Sequence, residues 1–168
     1  GKSTFMYQMS LLDEPTEGRI EVDGVDVLNL STKDKTEFRL NRLGYVFQDY
    51  ALVPELTAME NVLIPLLMRG IDSDKAKEKA RKALAEVDLE HRFNNRPSQL
   101  SGGEQQRVSI ARAIADSPKI LFADEPTANL DSASSTHIIE VLRDLNQKGQ
   151  TIVMVTHEKE YTLHCDRI

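Results

Sequence analysis

The 168-residue sequence has no tryptophan, only 5% aromatic residues and a single cysteine, Cys165. One cysteine cannot form an internal disulfide or a structural zinc site, and its rarity favours a reducing compartment, the cytosol. So few aromatic rings argue against a platform that stacks nucleic-acid bases. Basic residues are in the minority, with 21 Lys and Arg against 27 Asp and Glu. The resulting net charge of −6 argues against a protein that coats nucleic acid.

Long apolar runs are missing as well. No segment approaches the roughly 18 consecutive apolar residues of a membrane-spanning helix. The densest run, 62–68, is short and interrupted by Pro65. We therefore expect no direct insertion into a membrane. Eight glycines and six prolines exclude a collagen-like or linker-dominated architecture. The 40% of apolar residues is enough for a buried core, and the length supports one domain.

The first half of the chain is predicted to contain strands and helices. Alternation over 19–23 is typical of a half-buried strand, and the apolar run 43–47 has the length of a second strand. Thr57 and Glu60 form a capping-box pattern at a helix start. The charged stretch 72–96 carries a thin apolar stripe at helical spacing, which predicts a surface helix with a solvated face.

In the second half, helices alternate with short apolar strands. The predicted order is a helix opened by a capping box at Ser101 and Glu104, a strand at 119–123, a helix capped by Asp131 or Ser132, and a buried-type strand at 151–155. This alternation is typical of a mainly parallel α/β sheet. Ligands of such sheets bind at the carboxyl ends of the strands, where Asp124, Glu125 and His157 are expected.

The first four residues match the end of the phosphate-loop pattern G-x-x-x-x-G-K-[ST]. In that loop a helix N-terminus holds phosphate oxygens, Lys2 would reach the β and γ phosphates, and the Ser3 hydroxyl would ligate Mg²⁺. The strand ending in Asp124 and Glu125 would supply one carboxylate for Mg²⁺ and another that acts on water. An ordinary helix start and a strand followed by an acidic turn are the alternative interpretations.

The segment LSGGEQQR at 100–107 carries more information than a capping box. A capping box needs only Ser101 and Glu104, whereas each glycine inside the first turn costs about 0.5–1 kcal/mol relative to alanine. Bare backbone at a helix N-terminus is explained if a phosphate group approaches closely.

With these motifs in hand, the sequence resembles the nucleotide-binding subunit of ATP-binding cassette (ABC) transporters. LSGGEQQRVSIARA is similar to the family's signature motif, and LGYVFQDYALVPELTAMENV to its Q-loop segment, with Gln48 as the glutamine. DEPTANLDS resembles the end of the Walker B motif plus the D-loop, with Asp131 as the D-loop aspartate. TIVMVTHE resembles the switch region, with His157 as its histidine. Ala128 and Glu158 depart mildly from the usual Gly and Asp.

The resemblance implies a phosphate-loop ATPase fold with a mainly parallel sheet, a small antiparallel β part and a helical subdomain at about 50–100. Residues 1–168 would form a single, partial ABC ATPase domain, truncated at both ends, and we expect this fragment to bind ATP poorly and to be weakly active or inactive alone. Within the family, 11–31, the Q-loop and the signature most resemble an export group that includes the lipoprotein-releasing ATPase and macrolide or antimicrobial-peptide exporters.

The resemblance also implies ATP and Mg²⁺ as ligands and hydrolysis between two copies arranged head to tail. The catalytic residues would be Glu125, which acts on water, His157, which contacts the γ-phosphate, and Gln48. ATP would be bound by Gly1, Lys2, Ser3, Thr4 and Asp124 of one copy, and by Ser101, Gly102, Gly103 and Asp131 of the other. The Mg²⁺ ligands would be Ser3, Gln48 and Asp124. A purely structural histidine remains the alternative for His157.

The implied partners are a second nucleotide-binding subunit and integral membrane permease subunits, with no nucleic acid. The subunit would be cytoplasmic and peripheral at the inner face of the plasma membrane. The apolar segment 50–56 would help form a groove for a short permease helix, or alternatively belongs to the subdomain core.

Soluble ABC ATPases are the competing class. Chromosome-type members place a long coiled coil between the Q-loop and the signature, but only 53 positions separate Gln48 from Ser101 here. Excision-repair members need cysteine clusters, which one cysteine cannot supply. A cell-division regulator and a translation-factor cassette stay open.

Overall fold

The computed structural model describes all 168 residues. In chain order, the elements are α1 (Lys2–Met9), β1 (Glu21–Val22), β2 (Val25–Asp26), α2 (Thr32–Arg42), β3 (Leu43–Val46), α3 (Ala58–Met68), α4 (Ser73–Ala85), α5 (Gly102–Ile114), β4 (Ile120–Asp124), α6 (Ser132–Gln147) and β5 (Thr151–Val155). Short 3₁₀ turns occupy Val27–Asn29, Glu90–Arg92, Pro97–Gln99 and Lys159–His164.

The main sheet has three parallel strands in the order β3-β4-β5. Tyr45 pairs with Phe122, and Phe122 with Val153, so the carboxyl ends of the three strands meet at one edge. β1 and β2 form a separate antiparallel pair. The predicted parallel sheet with a small antiparallel part is therefore confirmed. The predicted strand at 19–23 shortens to Glu21–Val22, because Asp23 and Gly24 turn the chain with positive φ angles of 53° and 77°.

Local capping signals fix the helix starts. Both predicted capping boxes form, at Thr57 with Glu60 and at Ser101 with Glu104. The cap of α6 is Asp131, whose carboxylate accepts a hydrogen bond from the Ser134 N–H at 3.0 Å. These short-range patterns were sufficient to predict the helix starts, because each involves residues only three positions apart.

The core lies on both faces of β4. Leu121 and Ala123 belong to the larger cluster, which packs β4 against α3, α4, α5 and α6. Phe122 points to the other face, where it belongs to a smaller cluster that includes Met6 of α1 and Val27. The predicted apolar stripe of the charged helix is buried as a set: Ala76, Ala80, Ala83, Leu84 and Val87. A separate helical subdomain at about 50–100 stays a prediction.

The prediction that 151–155 is a buried-type strand is wrong. Thr151 is exposed and the other four residues of β5 are half-buried. The reason is that β5 is an edge strand, which pairs with β4 on one side only. None of the helices combines the length and the apolar character that crossing a membrane requires.

Candidate functional site

Three elements meet at the carboxyl edge of the sheet. Ser3, in the first turn of α1, donates a hydrogen bond from Oγ to Asp124 Oδ1 at 3.3 Å. The Lys2 Nζ donates to the Thr156 carbonyl at 3.2 Å and lies 3.3 Å from His157 Nδ1. Residues more than 120 positions apart in the sequence thus form one polar cluster. Gly1, Lys2 and Thr4 are exposed beside it.

The start of α1 is bare of side-chain caps. Gly1 is its N-cap residue and provides no capping side chain, and the first turn contains no acidic residue. The backbone N–H groups of this turn have no intrahelical partner, and the helix dipole places partial positive charge at them. The helix start is therefore suited to an anion such as a phosphate group.

Asp124 ends β4 and is only 5% exposed. Two phenols lie near it: burial, and then the Asp124 carboxylate, raise the pKa of both Tyr7 and Tyr45. Both phenols consequently stay protonated, and the buried Tyr45 hydroxyl has no hydrogen-bond partner. The Asp124 carboxylate therefore lies next to two neutral hydroxyl groups.

The donor set at this edge fits Mg²⁺. The Asp124 carboxylate and the Ser3 hydroxyl are hard oxygen ligands, which Mg²⁺ prefers. No cluster of three or more His, Cys, Asp or Glu side chains suited to a metal occurs in the chain. Mg²⁺ is commonly held by one or two protein ligands together with substrate phosphates, so this small set is adequate.

Glu125 follows Asp124 with a left-handed backbone, φ 46°. Its side chain is largely buried, and Oε2 accepts a hydrogen bond from the His157 N–H at 3.2 Å. Oε1 lies 3.2 Å from His157 Nε2, in an orientation that makes no hydrogen bond, and has no other partner. A largely buried carboxylate with a free oxygen, next to an exposed imidazole, can accept a proton from a bound water.

The remaining predicted residues lie outside this cluster of contacts. Gln48 follows β3 at the same edge, but its side chain is exposed and its backbone carbonyl accepts a hydrogen bond from Asn129. The Asp131 carboxylate is engaged in capping α6, and its hydrogen bonds with Ser134 lower its pKa. Ser101 is exposed at the start of α5, where it caps the helix.

The signature glycines have a packing role that the sequence argument missed. A Cβ added to Gly103 would lie 2.9 Å from Ser134 Oγ and 3.0 Å from Ser134 Cβ. A Cβ on Gly102 would lie 2.9 Å from the Tyr50 hydroxyl. Tight packing within the chain is therefore a reason for glycine at both positions, and close approach by a phosphate stays a prediction.

Segment 50–56 has features of both interpretations, a groove for a permease helix and a part of the subdomain core. Leu52 packs against the larger core cluster, whereas Val53 is 43% exposed. The segment thus has one side in the core and another open to a partner.

Sequence reasoning also missed Gln106 of α5. Its side chain is completely buried, and its Nε2 donates to the carbonyls of Phe47 and Pro126. The available signal was a polar residue on the buried face of a helix, between Gly103 and Ile110.

A family model described as ABC transporter matches residues 1–128 of the chain. The lipoprotein-releasing system ATP-binding protein LolD of Aquifex aeolicus is 48% identical over 160 residues, which is 95% of this chain and 71% of that protein. The macrolide export ATP-binding/permease protein MacB of Pasteurella multocida is 44% identical over 168 residues, 100% of this chain and 26% of that longer protein.

A solved structure supports the same likeness. The ATP-binding cassette MJ0796, in a dimeric post-hydrolysis state bound to ADP and Pi, superposes with a TM-score of 0.86 at 40% identity. The superposition covers 98% of this chain and 73% of the cassette.

Proposed function

The chain belongs to the ABC transporter ATP-binding family and is an ATPase, and we propose that it powers an exporter of the lipoprotein, macrolide or peptide type. The observation that carries the chemistry is the convergence of Lys2 and Ser3 on Asp124, Glu125 and His157 at one sheet edge. The export class is supported by the names of relatives such as LolD and MacB.

The proposed mechanism relies on positioning and charge. The bare start of α1 and the Lys2 ammonium would bind the β and γ phosphates of ATP, and Ser3 and Asp124 would hold Mg²⁺. When bound, Mg²⁺ neutralises charge on the phosphates. Gln48, at the same edge, would contribute to the Mg²⁺ site and report nucleotide state to a partner.

Glu125 would orient and deprotonate the attacking water. Its Oε1, which is buried and has no hydrogen-bond partner, would be the proton acceptor, while Oε2 is held by the His157 N–H. The His157 ring is 78% exposed, with Nδ1 beside Lys2 Nζ and Nε2 beside Glu125 Oε1. It would donate to the γ-phosphate by exchanging one of these neighbours for a phosphate oxygen. Glu125 has a left-handed backbone with φ 46°, a conformation that persists in a non-glycine residue only where the surrounding structure enforces it.

Ser101, Gly102, Gly103 and Asp131 would complete the site of a second copy in a head-to-tail dimer. The dimeric cassette bound to ADP and Pi supports this arrangement. Further partners would be integral membrane permease subunits, which would hold the protein at the cytoplasmic face of the membrane.

The test of the chemistry is Glu125→Gln in an intact version of the subunit, which keeps the shape of the side chain but removes the proton acceptor. ATP binding should persist while turnover falls by at least about 100-fold, the usual scale of a general base. Glu158→Gln, in the exposed segment that follows His157, is the matched control and should retain full ATPase. Undiminished ATPase in Glu125→Gln would contradict the assigned role.

The export proposal needs a separate measurement. Purification of the tagged protein from its native host should recover an integral membrane partner. Recovery of ribosomes or of a cell-division complex instead would favour a non-transport cassette.

A further inference from the structure

Gln106 joins two segments that are far apart in the sequence. Its Nε2 donates to the Phe47 carbonyl at 3.4 Å and to the Pro126 carbonyl at 2.9 Å. The side chain is completely buried, and its Oε1 has no partner. Both amide hydrogens are therefore used to bridge two loops in a dry interior, where such bonds are electrostatically stronger than in water.

The two carbonyls flank the proposed catalytic residues. Phe47 immediately precedes Gln48, and Pro126 immediately follows Glu125. Asn129 provides a second tie between the same segments, since its Nδ2 donates to the Gln48 carbonyl at 3.2 Å. Gln106 thus joins the two segments inside the core, and Asn129 joins them at the surface.

Both segments hold backbone that needs such an anchor. Glu125 has φ 46°, and Tyr50 and Ala51, just after Gln48, have φ 59° and 50°. Left-handed backbone at non-glycine residues persists only where the surrounding structure enforces it. A side chain that fixes the neighbouring carbonyls is a direct means of enforcing it.

We propose that Gln106 is a positioning residue for ATP hydrolysis, which sets the placement of Glu125 relative to Gln48 without touching the nucleotide. This proposal rests on the roles proposed above for those two residues. The proposed role goes beyond packing, because the two carbonyls that Gln106 binds belong to the residues next to Gln48 and Glu125.

The test is Gln106→Met in an intact version of the subunit, which keeps the side-chain length but removes both N–H donors. Since small misplacements of reacting groups are costly, kcat should fall about 10- to 100-fold, with the KM for ATP changed far less. The measurement is made below the melting temperature of the variant. Ile110→Ala, also completely buried on α5, is the control for stability alone and should keep its kcat while folded.

A double mutant separates positioning from a general effect. In a Gln48→Ala background, Gln106→Met should cost less than it does in the wild type, because part of its effect acts through Gln48. Asn129→Ala, an exposed change that cuts the second tie, should lower kcat with an unchanged melting temperature, and it keeps the test open if Gln106→Met does not fold.

An unchanged kcat in Gln106→Met, or a loss that Ile110→Ala reproduces, would overturn the proposal, as would an additive double mutant. If Gln106→Met does not fold, an unchanged kcat in Asn129→Ala overturns it. These outcomes differ from a failure of the proposed function, in which Glu125→Gln and Gln48→Ala would themselves retain full ATPase.

Discussion

Backbone conformation at single residues determines how this site is built. Glu125 leaves β4 in the left-handed region, and its N–H still donates to the Val155 carbonyl at 2.9 Å, so the sheet pairing continues one residue past the strand. Such a conformation costs on the order of 1–3 kcal/mol in a non-glycine residue. The hydrogen bond from the His157 N–H to Glu125 Oε2 contributes to offsetting this cost.

Substitution of Gly103 by alanine tests how the addition of one Cβ atom changes the stability of the protein. Alanine would favour the helix by about 0.5–1 kcal/mol, but the added Cβ would clash with Ser134, and overpacking of this kind costs about 1–3 kcal/mol. We expect Gly103→Ala to lower the free energy of unfolding in urea. In a Ser134→Gly background the clash is gone, and the same substitution should be neutral or stabilising. Equal effects in both backgrounds would contradict the packing explanation.

Residues that act through short-range contacts could be predicted from the sequence, and those that act across the fold could not. The caps at Thr57, Ser101 and Asp131 depend on neighbours three positions away. The bonds of Gln106 span 59 and 20 positions, and the Tyr50 hydroxyl that a Cβ on Gly102 would meet is 52 positions away. Nothing in the local pattern identifies the acceptor at such a separation.

Helices and strands show the same difference between what short-range patterns predict and what the tertiary structure decides. The apolar stripe follows from spacing alone: its four members in α4 are buried, and so is Val87, just after the helix. The burial of β5 cannot be predicted in this way. An apolar strand has the same sequence pattern at a sheet edge as at the sheet centre, and the strand order depends on the tertiary structure. The polar edge that carries Asp124 and His157 was predictable, since both strands are parallel.

Asp116 ties three helices together through charge. It follows α5 and accepts hydrogen bonds from Arg69 at the end of α3, at 2.6 Å, and from Lys79 of α4, at 2.7 Å. Burial opposes ionisation of Asp116, but the bonds from Lys79 and Arg69 outweigh it and lower the pKa of the carboxyl.

A lowered folded pKa makes this contribution to stability pH-dependent. It is fully present above the unfolded-state pKa of about 3.9 and is lost as pH falls through the lower folded value. Asp116→Asn should therefore destabilise the protein at pH 7, and the difference from wild type should shrink below about pH 4 in urea unfolding. Asp74→Asn, whose side chain is 93% exposed, is the control. A difference independent of pH would show that charge is not the cause.

The arrangement of the chain as a unit explains why its site calls for a second copy. The polar cluster at Lys2 and Glu125 lies at one edge of the sheet, and no hydrogen bond or ion pair links it to Ser101 or Asp131. Ser101 instead lies exposed at the start of α5, where the helix dipole would favour an anion from a partner. Two copies related by a two-fold axis would bring each helix start to the other copy's cluster.

Ser101→Asp tests this arrangement without harming the fold. Aspartate is as good an N-cap as serine, so α5 should remain intact, while its negative charge would repel a phosphate approaching from the partner. In an intact version of the subunit, wild-type ATPase per molecule should rise with protein concentration as dimers form, and Ser101→Asp should remove that rise with an unchanged melting temperature. Ser98→Asp, exposed in the preceding turn, adds the same charge and should behave like wild type. A concentration-dependent activity that survives in Ser101→Asp would mean that the start of α5 does not contact the partner's nucleotide.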